Sequence, residues 1–322
     1  MKILVTGGVG YIGSHMSALL GELGHEVLVY DNLSAGHRDA LLSGRLVVGD
    51  LADRRLLEAT VREFAPQAVI HFASSIQVAE SVSDPLKYYD NNVVNSIGLL
   101  QILVKLGVNH VVFSSSAAVY GQPEQALISE DSTIRPINPY GSSKACIEQV
   151  LQDVSRSHGV RSVSLRYFNA AGADPLARIG ERHDPETHLI PLALMTARGK
   201  RKAMAINGTD YATPDGTCLR DYVHVVDLAE AHRVALQYLF DGGASDVFNC
   251  GYGHGYSVRE VVDAAKKISG KDFQVHESGR REGDPASLVA DSGKINRILG
   301  WKPKYDDLEY IIKTAWEWEK KQ

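Results

Sequence analysis

The run KILVTGGVGYIGSHM (residues 2–16) decides the fold. Ile3 to Thr6 reads as a short β-branched strand, and Ile12, Met16, Leu19, Leu20 and Leu23 then share one helical face. Between them lie Gly7, Gly10 and Gly13, the glycines of a G-x-x-G-x-x-G turn. The first makes the tight turn, the second lets a pyrophosphate approach the backbone, and the third lets helix and strand pack closely. A helix N-terminus offers free N–H groups and partial positive charge to phosphates. Glycine patterns alone are common in turns, but a strand before and a helix after supply the context of a dinucleotide fingerprint.

Working outward, Gly24 can close the first helix, and Val27–Tyr30, Leu46–Val48, Ala68–Ala73, Val111–Ser116 and Ser162–Tyr167 read as further strands. Helices are expected at Asp53–Phe64, from Pro85 to Leu106 with Gly107 as the stop, and from Pro139–Tyr140 onward. Strands apolar on both faces that alternate with helices imply a parallel sheet covered on both sides. Right-handed crossovers make it a doubly wound Rossmann-type α/β fold. After Asn169 the chain becomes richer in Gly, Pro and charge. Strand into helix is read at Arg220–Leu236, a strand at Asp246–Cys250, helices at Ser257–Ile268 and Leu308–Lys320, and a charged loop at Glu277–Pro285. The expected division is a dinucleotide-binding domain from residues 1–169 with about 218–243. A smaller C-terminal α/β lobe takes about 170–217 and 244–322 and closes over the carboxyl edge of the sheet.

Asp31 ends the second strand at the distance where a carboxylate meets adenosine ribose hydroxyls. It would repel a 2′-phosphate, which favours NAD over NADP; the plain alternative is a surface Asp opening a turn with Asn32. Asp50, after the third strand, either reaches the adenine or simply makes a turn. Tyr140 and Lys144 have the YxxxK spacing, which places them on one helical face. A lysine ammonium beside a phenol is expected to lower its pKa and make it a usable base. YxxxK by itself is common on solvated helices; its place after the fifth strand gives it weight. Ser116, at the end of that strand, can hydrogen-bond a reacting oxygen, although a strand-end serine is most often a turn former.

Composition narrows the field. The chain has 322 residues and a formal charge of 34 − 39 = −5, which argues against nucleic-acid and anionic-membrane partners. Cys146, Cys218 and Cys250 form no CxxC pair, and the 12 histidines show no HxxxH or HExxH spacing. Neither disulfides nor a metal site is expected. The short run Ile3–Val5 is no secretory segment and no stretch is long enough to span a bilayer, so a soluble cytoplasmic protein is expected.

The motifs TGGVGYIG (6–13), HFA (71–73), SSSAAVYG (114–121), PYGSSK (139–144), LRYFNAAGA (165–173), RDYVHVVDLA (220–229), RREGDPA (280–286) and LGW (299–301) run in order over essentially the whole chain. Together they resemble the UDP-glucose 4-epimerases, a family of extended short-chain dehydrogenases/reductases. The glycine fingerprint and YxxxK belong to the wider superfamily; the blocks at 165–173, 220–229 and 280–286 are more specific to sugar-nucleotide enzymes. The resemblance implies a catalytic set of Ser116, Tyr140 and Lys144. It implies NAD contacts at Gly7, Gly10, Tyr11, Ile12, Gly13, Asp31, Asn32, Asp50, Leu51, Phe72, Ala73, Asn91, Ser114, Tyr140, Lys144 and Tyr167. Substrate contacts are implied at Ser116, Tyr140, Phe168, Asn169, His188, Leu189, Arg220, Arg281, Asp284 and Leu288, and a homodimer through helices near Asn92–Leu106 and Tyr140–Val154. Two arginines can neutralise a diphosphate, and a carboxylate can accept from ribose hydroxyls.

Three positions depart from the family pattern. Ser75, Ile76 and Gln77 stand where a lysine is frequent after HFA, Ala118 replaces a frequent threonine, and His188 replaces a diphosphate-binding asparagine. A 4,6-dehydratase or a decarboxylase on the same scaffold is the alternative enzyme. A dehydratase needs an acid/base pair after the catalytic serine, where this chain has Ala117 and Ala118. A non-catalytic NAD-binding scaffold is the alternative of another class, and retention of Ser116, Tyr140 and Lys144 speaks against it. Leu288, aligned with a residue that limits space beside the sugar C2 substituent, is of intermediate size. UDP-glucose and UDP-galactose are therefore expected as the main pair, with weaker activity on UDP-N-acetylglucosamine. A one-residue shift would put the smaller Ser287 in that place.

Overall fold

Alternate residues of the central strands point to two different cores. Ile3 and Val5 join one buried cluster and Leu4 the other, and in the fifth strand Val112 faces the first while Val111 and Phe113 face the second. Such two-sided burial requires layers on both faces. The computed structural model describes residues 1–123, 125–281 and 284–322. It contains a seven-stranded parallel sheet built from β1 (Lys2–Thr6), β2 (Glu26–Asp31), β3 (Arg45–Val48), β4 (Ala68–His71), β5 (His110–Ser116), β6 (Arg161–Tyr167) and β7 (Asp246–Cys250). Their order is β7-β6-β5-β4-β1-β2-β3, so the chain reverses direction between β1 and β4 and opens a crevice there.

Helix α1 (Tyr11–Glu22) and the helix Val225–Phe240 cover the first face; α2 (Arg54–Phe64), α3 (Asn95–Leu106) and α4 (Pro139–His158) cover the second. Local chemistry sets their ends. Asp53 caps α2 by accepting from the Leu56 amide at 3.0 Å. Gly107 and Gly159 close α3 and α4 in the left-handed region, with φ of 73° and 70°. The single helix expected from Pro85 to Leu106 is instead three pieces: an α-helical turn at Pro85–Tyr88, a π-helical segment at Tyr89–Val94, then α3. Its side chains account for the wider turn. Asn92 reaches out of the helix to accept from the Ser75 amide at 2.8 Å and donate to the Ser143 hydroxyl at 3.0 Å.

The rest of the chain packs around a third core that joins the helices Leu189–Ala197, Val258–Ser269 and Leu308–Glu319. Short strands line its inner side: Leu219–Arg220 between Tyr256–Ser257 and Ser287–Leu288, and Met204–Asn207 beside Val275–Ser278. Two expectations are corrected. Asp246–Cys250, placed with the lobe, pairs with β6 and completes the central sheet. The loop expected from Glu277 begins as a strand, because Glu277 and Ser278 continue the ladder with Ile206 and Asn207. Glu282 and Gly283 of that loop lie outside the described residues. Among the described residues, no helix is long and apolar enough to cross a membrane.

Candidate active site

A cavity of about 840 Å³ runs along the carboxyl edge of the sheet and under the lobe. Its first wall is the β1–α1 turn. Gly7 has φ of +71°, and a Cβ there would meet the Ala73 amide nitrogen at 2.6 Å. A Cβ on Gly13 would lie 2.1 Å from the Gly7 carbonyl oxygen, so helix and strand touch through glycine alone. Gly10 is different: its Cβ would meet only the Gly7 oxygen, at 3.4 Å, and its other side is open to the cavity. Gly10, Tyr11, Ile12 and Gly13 all line the cavity at the helix start, where backbone N–H groups have no intrahelical acceptor. A phosphate pair fits there, and a side chain at Gly10 would take its place.

Next along the edge is Asp31, buried, with its carboxylate accepting from the Leu33 amide at 2.8 Å and the Val9 amide at 3.3 Å. Burial raises its pKa, partly offset by those donors. Asn32 donates to Asp50 at 2.7 Å, and Asp50 also makes a turn with the Ala52 amide. These three residues and Leu51 form the end of the cavity, so the turn and the wall at Asp50 are one feature. This half of the cavity matches the shape and donor pattern of an adenosine diphosphate: a carboxylate beyond a glycine turn at a helix start.

The middle of the cavity is built by β4, β5 and α4. Asn138 caps α4 by accepting from the Gly141 amide at 2.8 Å, with Pro139 in the first turn. A Cβ on Gly141 would sit 2.4 Å from the Ala118 oxygen, so the helix start is docked on the turn that follows Ser116. That contact brings Tyr140 beside Ser116 although 24 residues separate them in sequence. Lys144, one turn further on, is buried, with Nζ donating to the Ser114 carbonyl at 2.8 Å and the Ser74 hydroxyl at 2.9 Å. Its Nζ lies 5.8 Å from the centre of the Tyr140 ring.

The electrostatics differ from expectation. Burial raises the Tyr140 pKa, with hydrogen bonding to Ser116 pulling the other way. Burial also pulls Lys144 down to about 7, partly offset by Glu148. Desolvation is the largest influence on both groups. Phe72, Ala73, Asn91, Ser114 and Tyr167 complete this part of the wall. Asn91 donates to the Ser75 hydroxyl at 2.9 Å, and the Ser114 and Tyr167 hydroxyls hydrogen-bond each other. Ser75, Ile76 and Gln77, which replace the absent lysine, also line the cavity.

The last wall is formed by Phe168, Asn169 and Arg220 together with His188, Leu189, Arg281, Asp284 and Leu288 of the lobe. Arg220 donates to Asp284 at 3.0 Å and to the Pro285 carbonyl at 2.9 Å. Leu288 pairs with Arg220 in the ladder and lines the cavity, whereas Ser287 is not among the lining residues. All sequence-derived candidates therefore border one cavity.

Residues missed by sequence reasoning stand behind this wall. Asp221 is fully buried and accepts from the amides of Tyr252 at 2.8 Å, Gly253 at 3.0 Å and Ala290 at 3.2 Å. Arg166 and Glu148 form a buried ion pair at 2.6 Å, and Ser115 donates to the same carboxylate. Glu181, His183 and Glu186 cluster with His188. Ser115, Arg166 and Asp221 lie inside the blocks at 114–121, 165–173 and 220–229 without having been singled out, and the alternation E-x-H-x-x-E-x-H over 181–188 was visible in the sequence.

Comparison with known proteins agrees with this geometry. The model of the NAD dependent epimerase/dehydratase family matches residues 3–251. The UDP-glucose 4-epimerase of Azospirillum brasilense is 51% identical over 320 residues, covering 99% of this chain and 92% of the relative. The crystal structure of UDP-glucose 4-epimerase from Brucella ovis in complex with NAD has a TM-score of 0.96 at 47% identity, covering 98% of this chain and 97% of that one. The UDP-Glc/GlcNAc 4-epimerase of Campylobacter jejuni has a TM-score of 0.88 at 46% identity, covering 100% and 99%. The chain belongs to the NAD-dependent epimerase/dehydratase family and, within it, to the UDP-glucose 4-epimerases.

Proposed function

We propose that this enzyme interconverts UDP-glucose and UDP-galactose through a transient 4-keto sugar, using Ser116, Tyr140 and Lys144. The observation that carries this reading is their position midway along one cavity, between the glycine turn and the Arg220–Asp284 wall. NAD bound along the glycine turn supplies the hydride acceptor that takes hydrogen from C4 and returns it to the other face. Tyr140 Oη, as a phenolate favoured by the positive charges of Lys144 and of the bound nicotinamide ring, takes the proton of the sugar 4-hydroxyl and later gives it back. Ser116 holds that oxygen by a hydrogen bond, and Lys144 fixes the wall beside it through Ser114 and Ser74.

The remaining roles follow from chemistry and place. The amides at Tyr11, Ile12 and Gly13 hold the cofactor pyrophosphate, with Gly7 shaping the turn and Gly10, whose amide donates to the Gly7 carbonyl, leaving room for it. Asp31 accepts from the adenosine ribose, while Asn32, Asp50 and Leu51 enclose the adenine. Phe72, Ala73, Asn91, Ser114 and Tyr167 border the nicotinamide half. On the other wall Arg220 and Arg281 offset the diphosphate charge of the substrate, with Asn169, His188 and Leu189 beside it. Asp284 accepts from the uridine ribose, and Phe168 and Leu288 shape the sugar pocket. Rigid anchoring of UDP with few polar contacts to the hexose suits a sugar that must turn over within the site. The cofactor domain would comprise residues 1–169 and about 218–250, with the rest forming the substrate lobe. Elimination of water lacks support, since Ala117 and Ala118 after Ser116 bear no acid or base.

A cytoplasmic homodimer is part of the proposal. Val82, Leu86 and Val94, on the segment that leads into α3, are exposed at 63%, 79% and 51%, apolar side chains that a second copy would cover. Light scattering at micromolar concentration should give twice the 35.1 kDa chain mass, and a monomer counts against it. The test of function is conversion of UDP-galactose to UDP-glucose by purified protein without added cofactor. Absence of conversion, even with NAD supplied, or a 6-deoxy product, overturns it.

A further inference from the structure

We propose that Glu181, His183, Glu186 and His188 form a structural site for a zinc-class divalent cation on the cleft wall. All four lie on the segment between the strand Asn169–Ala171 and the helix Leu189–Ala197. One ligand atom from each lies within 4.8 Å of all the others. His188 Nδ1 is 2.8 Å from Glu181 Oε1 and 2.9 Å from Glu186 Oε1. His183 Nδ1 is 3.2 Å from Glu181 Oε1 and 3.6 Å from Glu186 Oε2. A tetrahedral ion with bonds of about 2.0–2.2 Å holds its ligands about 3.3–3.6 Å apart. The four short separations lie within about half an ångström of such a shell, and any pair near the 4.8 Å limit would close by about an ångström on binding.

Hydrogen bonding alone accounts poorly for the cluster. His183 Nδ1 is buried yet has no hydrogen-bond partner, although two carboxylates lie close by. A bound cation would engage its lone pair directly. The Glu181 and Glu186 side chains are only 7% and 6% exposed, so two carboxylates are held together out of water. Such a pair needs compensating positive charge, which the two imidazoles supply when protonated and a divalent ion would supply in their place.

The surroundings would hold the ligands in place. Glu186 accepts from the Thr187 amide at 2.7 Å and the His188 amide at 2.8 Å. The Glu181 carbonyl accepts from Trp318 Nε1 at 2.8 Å, and the Arg182 guanidinium grips Asp39. These contacts tie the segment to the C-terminal helix on one side and to the cofactor domain on the other. Two imidazoles with two carboxylates suit zinc or cobalt(II) rather than magnesium or calcium, which prefer all-oxygen shells. Four protein ligands leave no open position, so the ion would stabilise the segment rather than catalyse. Its value for substrate binding rests on the proposed diphosphate role of His188; ion binding itself does not.

The test strips purified, NAD-loaded protein with a chelator, removes the chelator, and titrates it with Co²⁺ and, separately, Zn²⁺. The expected result is one Co²⁺ per chain with visible d–d absorption of a four-coordinate site, and a rise in Tm with Zn²⁺. Affinity should fall at least tenfold in His183→Ala and in Glu186→Gln, the second of which keeps the shape and the amide contacts. No ion uptake by the parent protein at micromolar metal, or parent-level affinity in both variants, overturns the site. Epimerisation of UDP-galactose by the stripped protein is assayed alongside, so failure of the metal site with activity intact leaves the functional reading standing.

Discussion

At the scale of single residues, the cleft is governed by desolvation. Tyr140→Phe removes the oxygen that takes the proton and keeps the packing ring. Turnover should fall by about 10²- to 10⁴-fold, the ordinary weight of a general base, with NAD and UDP affinities nearly unchanged. Steady-state kinetics with UDP titration checks both halves, and near-parental turnover would remove Tyr140 from the mechanism. Lys144 offers a second test through pH. Its ordinary pKa of 10.5 falls to about 7 on burial. The unfolded lysine holds its proton up to 10.5 and the folded one only to about 7. Folding therefore releases a proton between those values, and stability rises with pH across that window. Methionine has no such proton. In cofactor-stripped protein, the parent should gain on Lys144→Met by up to about 1.4 kcal/mol per pH unit above pH 7. Denaturant unfolding at pH 6.5 and pH 9 measures this, and a pH-independent difference would mean that Lys144 stays charged in the folded state.

At the scale of elements, the glycine turn separates two kinds of close approach. At Gly13 a Cβ collides with backbone at 2.1 Å, so Gly13→Ala should destabilise the protein by about 1–3 kcal/mol as well as weaken NAD binding. At Gly10 the protein leaves room, so Gly10→Ala should keep the stability of stripped protein within about 0.5 kcal/mol while cutting NAD affinity at least tenfold. Calorimetric titration with NAD and denaturant unfolding distinguish the two, and equal stability losses would contradict the assignment of roles. These elements were legible because their signals are local. Gly7, Gly10 and Gly13 lie within one turn, Tyr140 and Lys144 within one helical repeat, and β1 carries its two-faced pattern in five residues. The rest depends on contacts far apart in sequence. The π-helical turn at Tyr89–Val94 answers Ser75 and Ser143, which no helical period encodes. Strands of two residues, such as Leu219–Arg220, are too short for any alternation to register. The burial of Lys144 was not legible either, because spacing reveals proximity but not burial.

At the scale of the whole molecule, the sugar pocket exists only where the lobe meets the sheet, and Leu288 sits at that junction. Its strand pairs with Leu219–Arg220, so the residue proposed to shape the sugar wall is in register with the arginine proposed to face the diphosphate. Behind it, Leu288 packs against the cluster of Ala117, Val119, Tyr120 and Ile128, in the turn after Ser116. The side chain is thus backed by protein on one side and faces the cavity on the other, which makes its size a steric limit rather than a movable flap. Leucine would leave more room than tyrosine beside the C2 substituent in the proposed sugar pocket. The parent should therefore epimerise UDP-N-acetylglucosamine, more weakly than UDP-glucose. In Leu288→Tyr, kcat/KM for the N-acetyl pair should fall about 10- to 200-fold relative to the unsubstituted pair, the range that a clash of a few atoms in a shaped pocket produces. Loss of activity on both pairs in equal measure would mean that the tyrosine disturbs the turn after Ser116 rather than the sugar wall. An unchanged ratio, or a parent with no N-acetyl activity at all, would place the selectivity elsewhere and reduce Leu288 to a packing residue of the lobe.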